Sequence, residues 1–125
     1  MTQEQKDLLL KDLSARLSYG VICNTSKGNG HLCSINQTIF GVEYGINIKA
    51  TERDYFDNEE IIKPYLFPMS NMTEEQYKEY LELEHSGNME HLSLPLLEWL
   101  NKNHFDYRDL IEKGLAIDAT GLNIY

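Results

Sequence analysis

Cys23, His31 and Cys33 are the most reactive grouping in the sequence. Two thiols and an imidazole this close together can ligate zinc, or one thiol can act as a nucleophile with the imidazole as its base. Thr25-Ser26-Lys27-Gly28-Asn29-Gly30 is a turn by composition. It lies between two strand-like runs, residues 19–23 and 31–35. A hairpin centred on Gly28 sets Cys23 opposite Cys33 and Val21 opposite Ile35, all on one face. His31 then shares that face. A structural zinc site needs four ligands, so the fourth must come from elsewhere, such as His85 or His91. A thiol on a core face is inert rather than nucleophilic. The expectation is therefore two buried, reduced cysteines, with no metal and no cofactor.

The other polar groupings point to bland roles. His85, Glu90, His91 and His104 lie in or near polar connections, and His85 and His91 lack the four-residue spacing of a metal-binding helix. Lys27-Gly28-Asn29-Gly30 has neither P-loop nor GxGxxG spacing and precedes no helix, so it reads as a hairpin turn. Glu52, Asp54, Asp57, Glu59 and Glu60, with Glu74 and Glu75, lack the spacing of a calcium loop and read as a solvated acidic face. A scattered catalytic site drawn from His31, Glu43, His104 and Asp106 requires a pocket that joins two of them with strongly shifted pKa values.

These residues depend on the elements that carry them. Thr2 and Gln5 have capping-box spacing, which predicts a helix from about residue 3 to Ser18 with Leu9, Leu10, Leu13 and Leu17 on its buried face and Leu8 outside it. Phe40, Val42, Tyr44, Ile46, Ile48 and Ala50 alternate with Gly41, Glu43, Gly45, Asn47 and Lys49. That pattern fits one half-buried strand or a tight hairpin turning at residues 44–46. Residues 52–60 are acidic and turn-like. Residues 61–69 are apolar and carry Pro64 and Pro68, which predicts an edge strand or a packed extended crossing. Thr73 and Gln76 repeat the capping box and open a helix from Glu74 to about residue 84, with a narrow apolar side of Tyr77, Tyr80 and Leu81. Ser86-Gly87-Asn88 breaks it. Ser93 caps a third helix with Pro95 in its first turn and Leu96, Leu97, Trp99 and Leu100 on its buried face, ending at residues 101–104. A short helical turn at residues 107–113, closed by Gly114, follows. Trp99, Phe105 and Tyr107 anchor the C-terminal helix, and Asp106 and Arg108 form a local ion pair.

The fold expected is α+β, one domain over residues 1–125. It has a small antiparallel sheet of three to five strands, mostly within residues 19–50, and admits an extra edge strand near residues 61–67. An N-terminal helix and C-terminal helices pack on it. The 125 residues suit one core without disulfide or metal. Lys plus Arg is 11 and Asp plus Glu is 20, a net charge of −9. That field repels phosphate, so direct binding to nucleic acid or anionic lipid is disfavoured, whereas an acidic DNA mimic is not. No apolar run approaches the ~20 residues of a membrane helix, and the polar N-terminus resembles no signal peptide, so a cytoplasmic location is expected.

Three segments carry a resemblance. They are Leu8-Leu9-Leu10-Lys11-Asp12-Leu13-Ser14-Ala15-Arg16-Leu17-Ser18-Tyr19-Gly20-Val21, the run from Ile62-Lys63-Pro64-Tyr65 through Thr73-Glu74-Glu75, and the run from Trp99-Leu100-Asn101-Lys102 through Lys113-Gly114-Leu115-Ala116. Together they resemble a family of small uncharacterised proteins from gut Bacteroides-type bacteria and their prophages, in which the position of Ser18 is often proline. Residues 22–60 lie outside the match. The resemblance implies a bacterial cytoplasm and a mobile-element origin, and no activity. The functional expectation is a non-catalytic protein-interaction module with Tyr65, Tyr77 and Tyr80 as its exposed surface. A small enzyme with a scattered polar site, and an acidic modulator of a nucleic-acid-binding protein, are the alternatives.

Overall fold

The capping box at Thr2 starts the first helix. Thr2 Oγ1 accepts from the Gln5 amide at 3.1 Å, and Gln5 Oε1 accepts from the Thr2 amide at 2.9 Å. The computed structural model describes residues 1–48, 53–85 and 94–125. Ala50, Glu52, the Ser86-Gly87-Asn88 break, Glu90, His91 and the Ser93 cap lie outside these residues, as does the side chain of His85. Helix α1 spans Gln3–Arg16, and a single 3-10 turn, Leu17–Tyr19, follows it. Its buried residues are Leu9, Asp12, Leu13 and Arg16. Of the expected leucine stripe, Leu9 and Leu13 are buried and Leu10 packs against the same core, whereas Leu17 does not. Leu17 falls beyond the helix and is exposed, and an acid and a base occupy the buried stripe.

Among the described residues the sheet has seven strands: β1 Ile22–Thr25, β2 Gly28–Thr38, β3 Gly41–Ile48, β4 Arg53–Asn58, β5 Lys63–Pro68, β6 Phe105–Asp106 and β7 Ile117–Asp118. The order is β4-β3-β2-β1-β5-β6, with β7 also on β5. β1 to β5 pair antiparallel, whereas β6 and β7 pair parallel to β5. The sheet is therefore mixed, larger than three to five strands, and not confined to residues 19–50. β6 and β7 are two residues each, too short to leave a periodic signal. β4 forms in the acidic segment because Tyr55 and Phe56 pair with Ile46 and Gly45 of β3. β5 forms where an edge strand is expected but lies inside the sheet. Pro64 is tolerated there because β1 pairs with only Lys63 and Pro64, at the start of the strand.

Two turns set the register. Thr25-Ser26-Lys27-Gly28 and Thr38-Ile39-Phe40-Gly41 are the same device. The threonine hydroxyl accepts from the amide two residues on, at 3.0 and 3.1 Å, and donates to the glycine carbonyl, at 2.8 Å in both. Gly28 and Gly41 take φ of 123° and 124°, open to glycine alone. The first turn pairs Thr25 with Gly28, and hence Cys23 with Gly30 rather than Cys33. The partner moves by an odd number of residues, which sends Cys33 to the opposite face. A register shift between Leu32 and Ser34 follows, with Cys33 at its centre. The second turn takes Phe40, so residues 41–48 form one strand and not a hairpin at 44–46.

The sheet curls. Strands lie about 4.8 Å apart, so the four steps from β4 to β5 would span about 19 Å if flat. The five residue steps from Asn58 to Lys63 reach only about 17 Å fully extended. They are not extended, since the Ile61 and Ile62 amides both donate to the Asn58 carbonyl. Ser26 Oγ donates to Asp57 Oδ2 at 3.2 Å across the curl, and Lys6 Nζ lies 3.6 Å from Glu59 on the connection. Inside the curl, Val21, Cys23, Leu32, Tyr44, Ile46, Ile62 and Leu66 pack against Leu9 and Leu13 of α1 and against Leu110 and Leu115.

A second apolar cluster of Leu96, Leu100 and Phe105 lies beside the first. Leu96 and Leu100 belong to α3, Leu94–Lys102, and Phe105 to β6, and Tyr80 and Leu83 of α2, Glu74–His85, pack against them. The expected Thr73–Gln76 capping box opens α2, with bonds of 2.9 and 3.1 Å. Leu96 and Leu100 of α3 are buried, while Leu97 and Trp99 are half-buried. Trp99 stacks on Phe105 at 5.6 Å and its Nε1 donates to Glu79 at 2.7 Å, so it ties α3 to β6 and α2 as an anchor should. Residues 107–113 form hydrogen-bonded turns, and the last of them has the bonding of one helical turn, with the Lys113 amide donating to the Asp109 carbonyl at 3.2 Å. Gly114, at φ 75°, closes them with the Leu115 amide donating to the Leu110 carbonyl at 2.8 Å. Among the described residues no helix is long and apolar enough to cross a membrane.

Close approach of β2 and β3 gives the first test. A Cβ at Gly30 would collide with the Asn47 carbonyl and with Ile46 Cγ2 at 2.7 Å. Backbone cannot yield as a side chain does, so Gly30→Ala is expected to cost about 2–3 kcal/mol. Urea denaturation checks it, and a cost below about 0.5 kcal/mol would contradict this strand spacing.

Candidate functional site

The structure separates the residues that the sequence groups. Cys23 is buried and Cys33 exposed, so the two thiols share no site. Burial pushes the Cys23 thiol far up, helped by Asp12. The Cys33 thiol is also raised, by partial burial and by Asp54. Neither is activated for attack. Among the described residues no three His, Cys, Asp or Glu side chains converge as metal ligands do.

His31, Glu43, His104 and Asp106 are likewise dispersed. His31 pairs with Ile22 and Asn47 in the sheet and lines a cleft of about 310 Å³ with Asn29, Asn47 and Asn123. Glu43 lies between Asn36 and Asn58. Asp106 is buried and accepts from the Leu110 and Ile111 amides at 2.9 Å each, so it organises the C-terminal turns. It does not pair with Arg108, whose partner is Asp12.

Asp12 is the polar centre that sequence reasoning missed. Its Oδ2 accepts from Arg16 Nε at 2.8 Å and its Oδ1 from Arg108 Nη1 at 2.8 Å. The Asp12 and Arg16 side chains are fully buried. Arg16 Nη2 donates to the Phe105 carbonyl at 2.6 Å, and both guanidinium groups lie against the Tyr107 ring, at 5.1 and 4.6 Å. Tyr107 Oη donates to Asn101 at 2.8 Å. The network joins α1 to α3 and β6. Every strong contact is internal, which makes it a structural clamp and not an open site.

His104 lines a separate cleft of about 330 Å³ with Phe67, Thr73, Gln76, Phe105 and Tyr125. Its φ of 60° is unusual for a side-chain-bearing residue, and its carbonyl accepts from the Phe67 amide at 2.8 Å. Its ring stacks on Tyr125 at 3.7 Å and 9°. Tyr125 Oη in turn donates to the Tyr65 carbonyl at 2.7 Å and accepts from the Ile22 amide at 2.9 Å. Burial pushes the imidazole pKa down to about 4, with Arg16 and then His31 adding to it. A neutral imidazole under an aromatic ring packs the C-terminal segment onto the sheet.

The tyrosines divide. Tyr65 is only 7% exposed and its hydroxyl donates to Asn29, so it is part of the core and not of an exposed surface. Tyr77 is exposed and stacks on the half-buried Tyr80, whose ring meets Trp99 tilted at 45°. Among the described residues the most exposed large hydrophobic side chains lie at the β2–β3 turn. Ile39 and Phe40, at the β2–β3 turn, are 93% and 94% exposed. Sequence alternation assigns Phe40 inward; the Thr38–Gly41 turn sends it out.

No family model matches the chain, and neither a curated protein nor a solved structure does.

Histidine 104 carries the test of this region. Its folded pKa of about 4 lies below the ordinary 6.5. On acidification the unfolded chain therefore takes the proton first. The stabilisation is full above pH 6.5 and drains away as pH falls towards 4. Urea midpoints measured between pH 7 and 4.5 are expected to fall less steeply in His104→Asn, a residue that tolerates positive φ, than in the unaltered protein. Equal slopes would contradict a buried, neutral His104.

Proposed function

We propose that the chain is a non-catalytic protein-interaction module that presents the β2–β3 turn to a protein partner. The observation that carries this reading is the exposure of Ile39 and Phe40 together. Two large apolar side chains at adjacent positions gain nothing for the fold when both stand in water. Thr38 locks the turn through both of its hydroxyl bonds, so the pair is held in a defined geometry. A turn with a fixed backbone suits insertion of its two apolar side chains into a pocket, because little backbone freedom remains to be lost on binding.

Charge narrows the partner. Glu43 and Glu59 flank the tip, Glu59 Oε1 lying 3.9 Å from the Cβ position of Gly41. With a net charge of −9, the chain favours a partner whose apolar pocket has a basic rim. The exposed Tyr77, stacked on Tyr80, offers a smaller second contact. The resemblance of the terminal segments to small proteins of gut Bacteroides-type bacteria and prophages supports a bacterial or prophage genome as the setting.

Affinity capture from bacterial lysate with the unaltered chain and with Ile39→Asp/Phe40→Asp tests the reading. The double variant is expected to keep its urea midpoint, because neither side chain packs, within about 0.5 kcal/mol. It is expected to lose a discrete partner that the unaltered chain retains, about tenfold or more in yield. Equal capture by both chains would contradict a role for the tip.

A further inference from the structure

Among the described residues β4 pairs with β3 alone, so one full edge of a six-residue strand has no strand partner. Proteins guard such edges with proline, charged side chains (lysine above all), a bulge or a covering element, and of these β4 has only the charges of Arg53, Asp54 and Asp57. β4 reads Arg53-Asp54-Tyr55-Phe56-Asp57-Asn58, with neither proline nor lysine. Its register against β3 runs unbroken from Glu43↔Asn58 to Ile48↔Arg53, so no bulge twists it away.

The edge also has a built face. Phe56 lies opposite Gly45, where a Cβ would stand 3.1 Å from the Phe56 ring. The glycine lets the ring settle against the sheet backbone, and Phe56 is still 54% exposed. Asp54 stands beside it and accepts from Asn47 Nδ2 at 2.9 Å, which fixes its carboxylate. Asp57 lies on the opposite side of the strand, and Glu59 and Glu60 follow. Three strand positions are charged, two of them acidic, and the acids continue past the strand end. The Thr38–Gly41 turn sits at that same end, since Glu43 pairs with Asn58.

We propose that the β4 edge takes an extended segment of a partner protein, one in which lysine or arginine alternates with apolar residues. The inference rests on the interaction-module reading and adds how the partner is held. Only an extended chain repeats its amides at the ~3.3 Å rise that a free strand edge presents. Alternation places one set of side chains beside Phe56 and Asp54 and the other beside Tyr55 and Asp57. Basic residues match the acids; a second copy of this chain would instead bring another net charge of −9.

The probe is a capped peptide of about eight residues, alternating lysine and valine, titrated into the isotope-labelled full chain at about 0.1 M salt. The expected result is that amide signals of residues 53–58 shift and their hydrogen exchange slows. A peptide N-methylated at every residue keeps the charge but cannot pair, and should bind about tenfold more weakly or less. Phe56→Lys, which places a guarding charge on the edge, should weaken the unmodified peptide by a similar factor, about tenfold. Equal binding of the N-methylated peptide would show charge attraction only and overturn the proposal. So would shifts confined to other elements, or self-association of the chain through β4. If the peptide fails while the Ile39 and Phe40 substitutions still abolish capture, the module reading stands and the edge is not its docking strand.

Discussion

A carboxylate fully removed from water, with a guanidinium on each oxygen, sits where the two halves of the apolar interior meet. Asp12 accepts from Arg16 of its own helix and from Arg108 near the other end of the chain. On one side lie Leu9, Leu13 and the inside of the curled sheet; on the other lie Leu96, Leu100 and Phe105. Burying a lone charge costs several kcal/mol, on the order of what an entire small protein has to spare. The arrangement is tolerable because both Asp12 oxygens are matched, although among the described residues Arg16 Nη1 is buried with no hydrogen-bond partner. The two guanidinium groups carry one positive charge more than Asp12 neutralises, and the Phe105 carbonyl and the Tyr107 ring absorb part of the excess. Such a clamp demands that α1, α3 and β6 be in place together, because none of its members can be buried alone.

The rest of the molecule follows from shorter-range constraints. Two threonine–glycine turns fix the register of β1, β2 and β3, and that register decides which residues face the curl. The short, folded-back connection from Asn58 to Lys63 then curls the open sheet around α1. Curling buries Ile62 and Leu66 against α1, and it leaves β4 as the outer strand. The surface proposed for partners, the turn at Ile39 and Phe40 with the adjoining β4 edge, is thus a by-product of the same geometry that forms the core.

Local chemistry was readable where a few adjacent residues settle the structure. Both capping boxes, at Thr2 and Thr73, and the positive φ of Gly114 depend on side chains within four residues. The α+β class followed from the mixed periodicities. What failed depended on distant partners. Asp12 and Arg16 belong on a polar helix face until Phe105 and Arg108 arrive to satisfy them, some ninety positions away. β6 and β7 exist only because β5 offers them an edge. Cys33 was misplaced for a different reason. The turn composition was recognised, but not that Thr25 selects its centre, and the recurrence of the same Thr-x-x-Gly pattern at Thr38 was the signal that would have corrected it. Tyr65 reads as exposed in the sequence because Asn29, the partner of its hydroxyl, lies 36 residues away.

Asp12 and Arg108 hold the two apolar clusters together. A double-mutant cycle with Asp12→Ala, Arg108→Ala and the double variant addresses this directly. Urea unfolding would be followed both by Trp99 fluorescence, which reports the second cluster, and by far-ultraviolet circular dichroism. Asp12→Ala strands Arg16 in the interior and should cost about 3–5 kcal/mol, with a coupling to Arg108 of about 1 kcal/mol or more. An Asp12→Ala cost below about 1 kcal/mol, with no coupling to Arg108, would contradict the clamp.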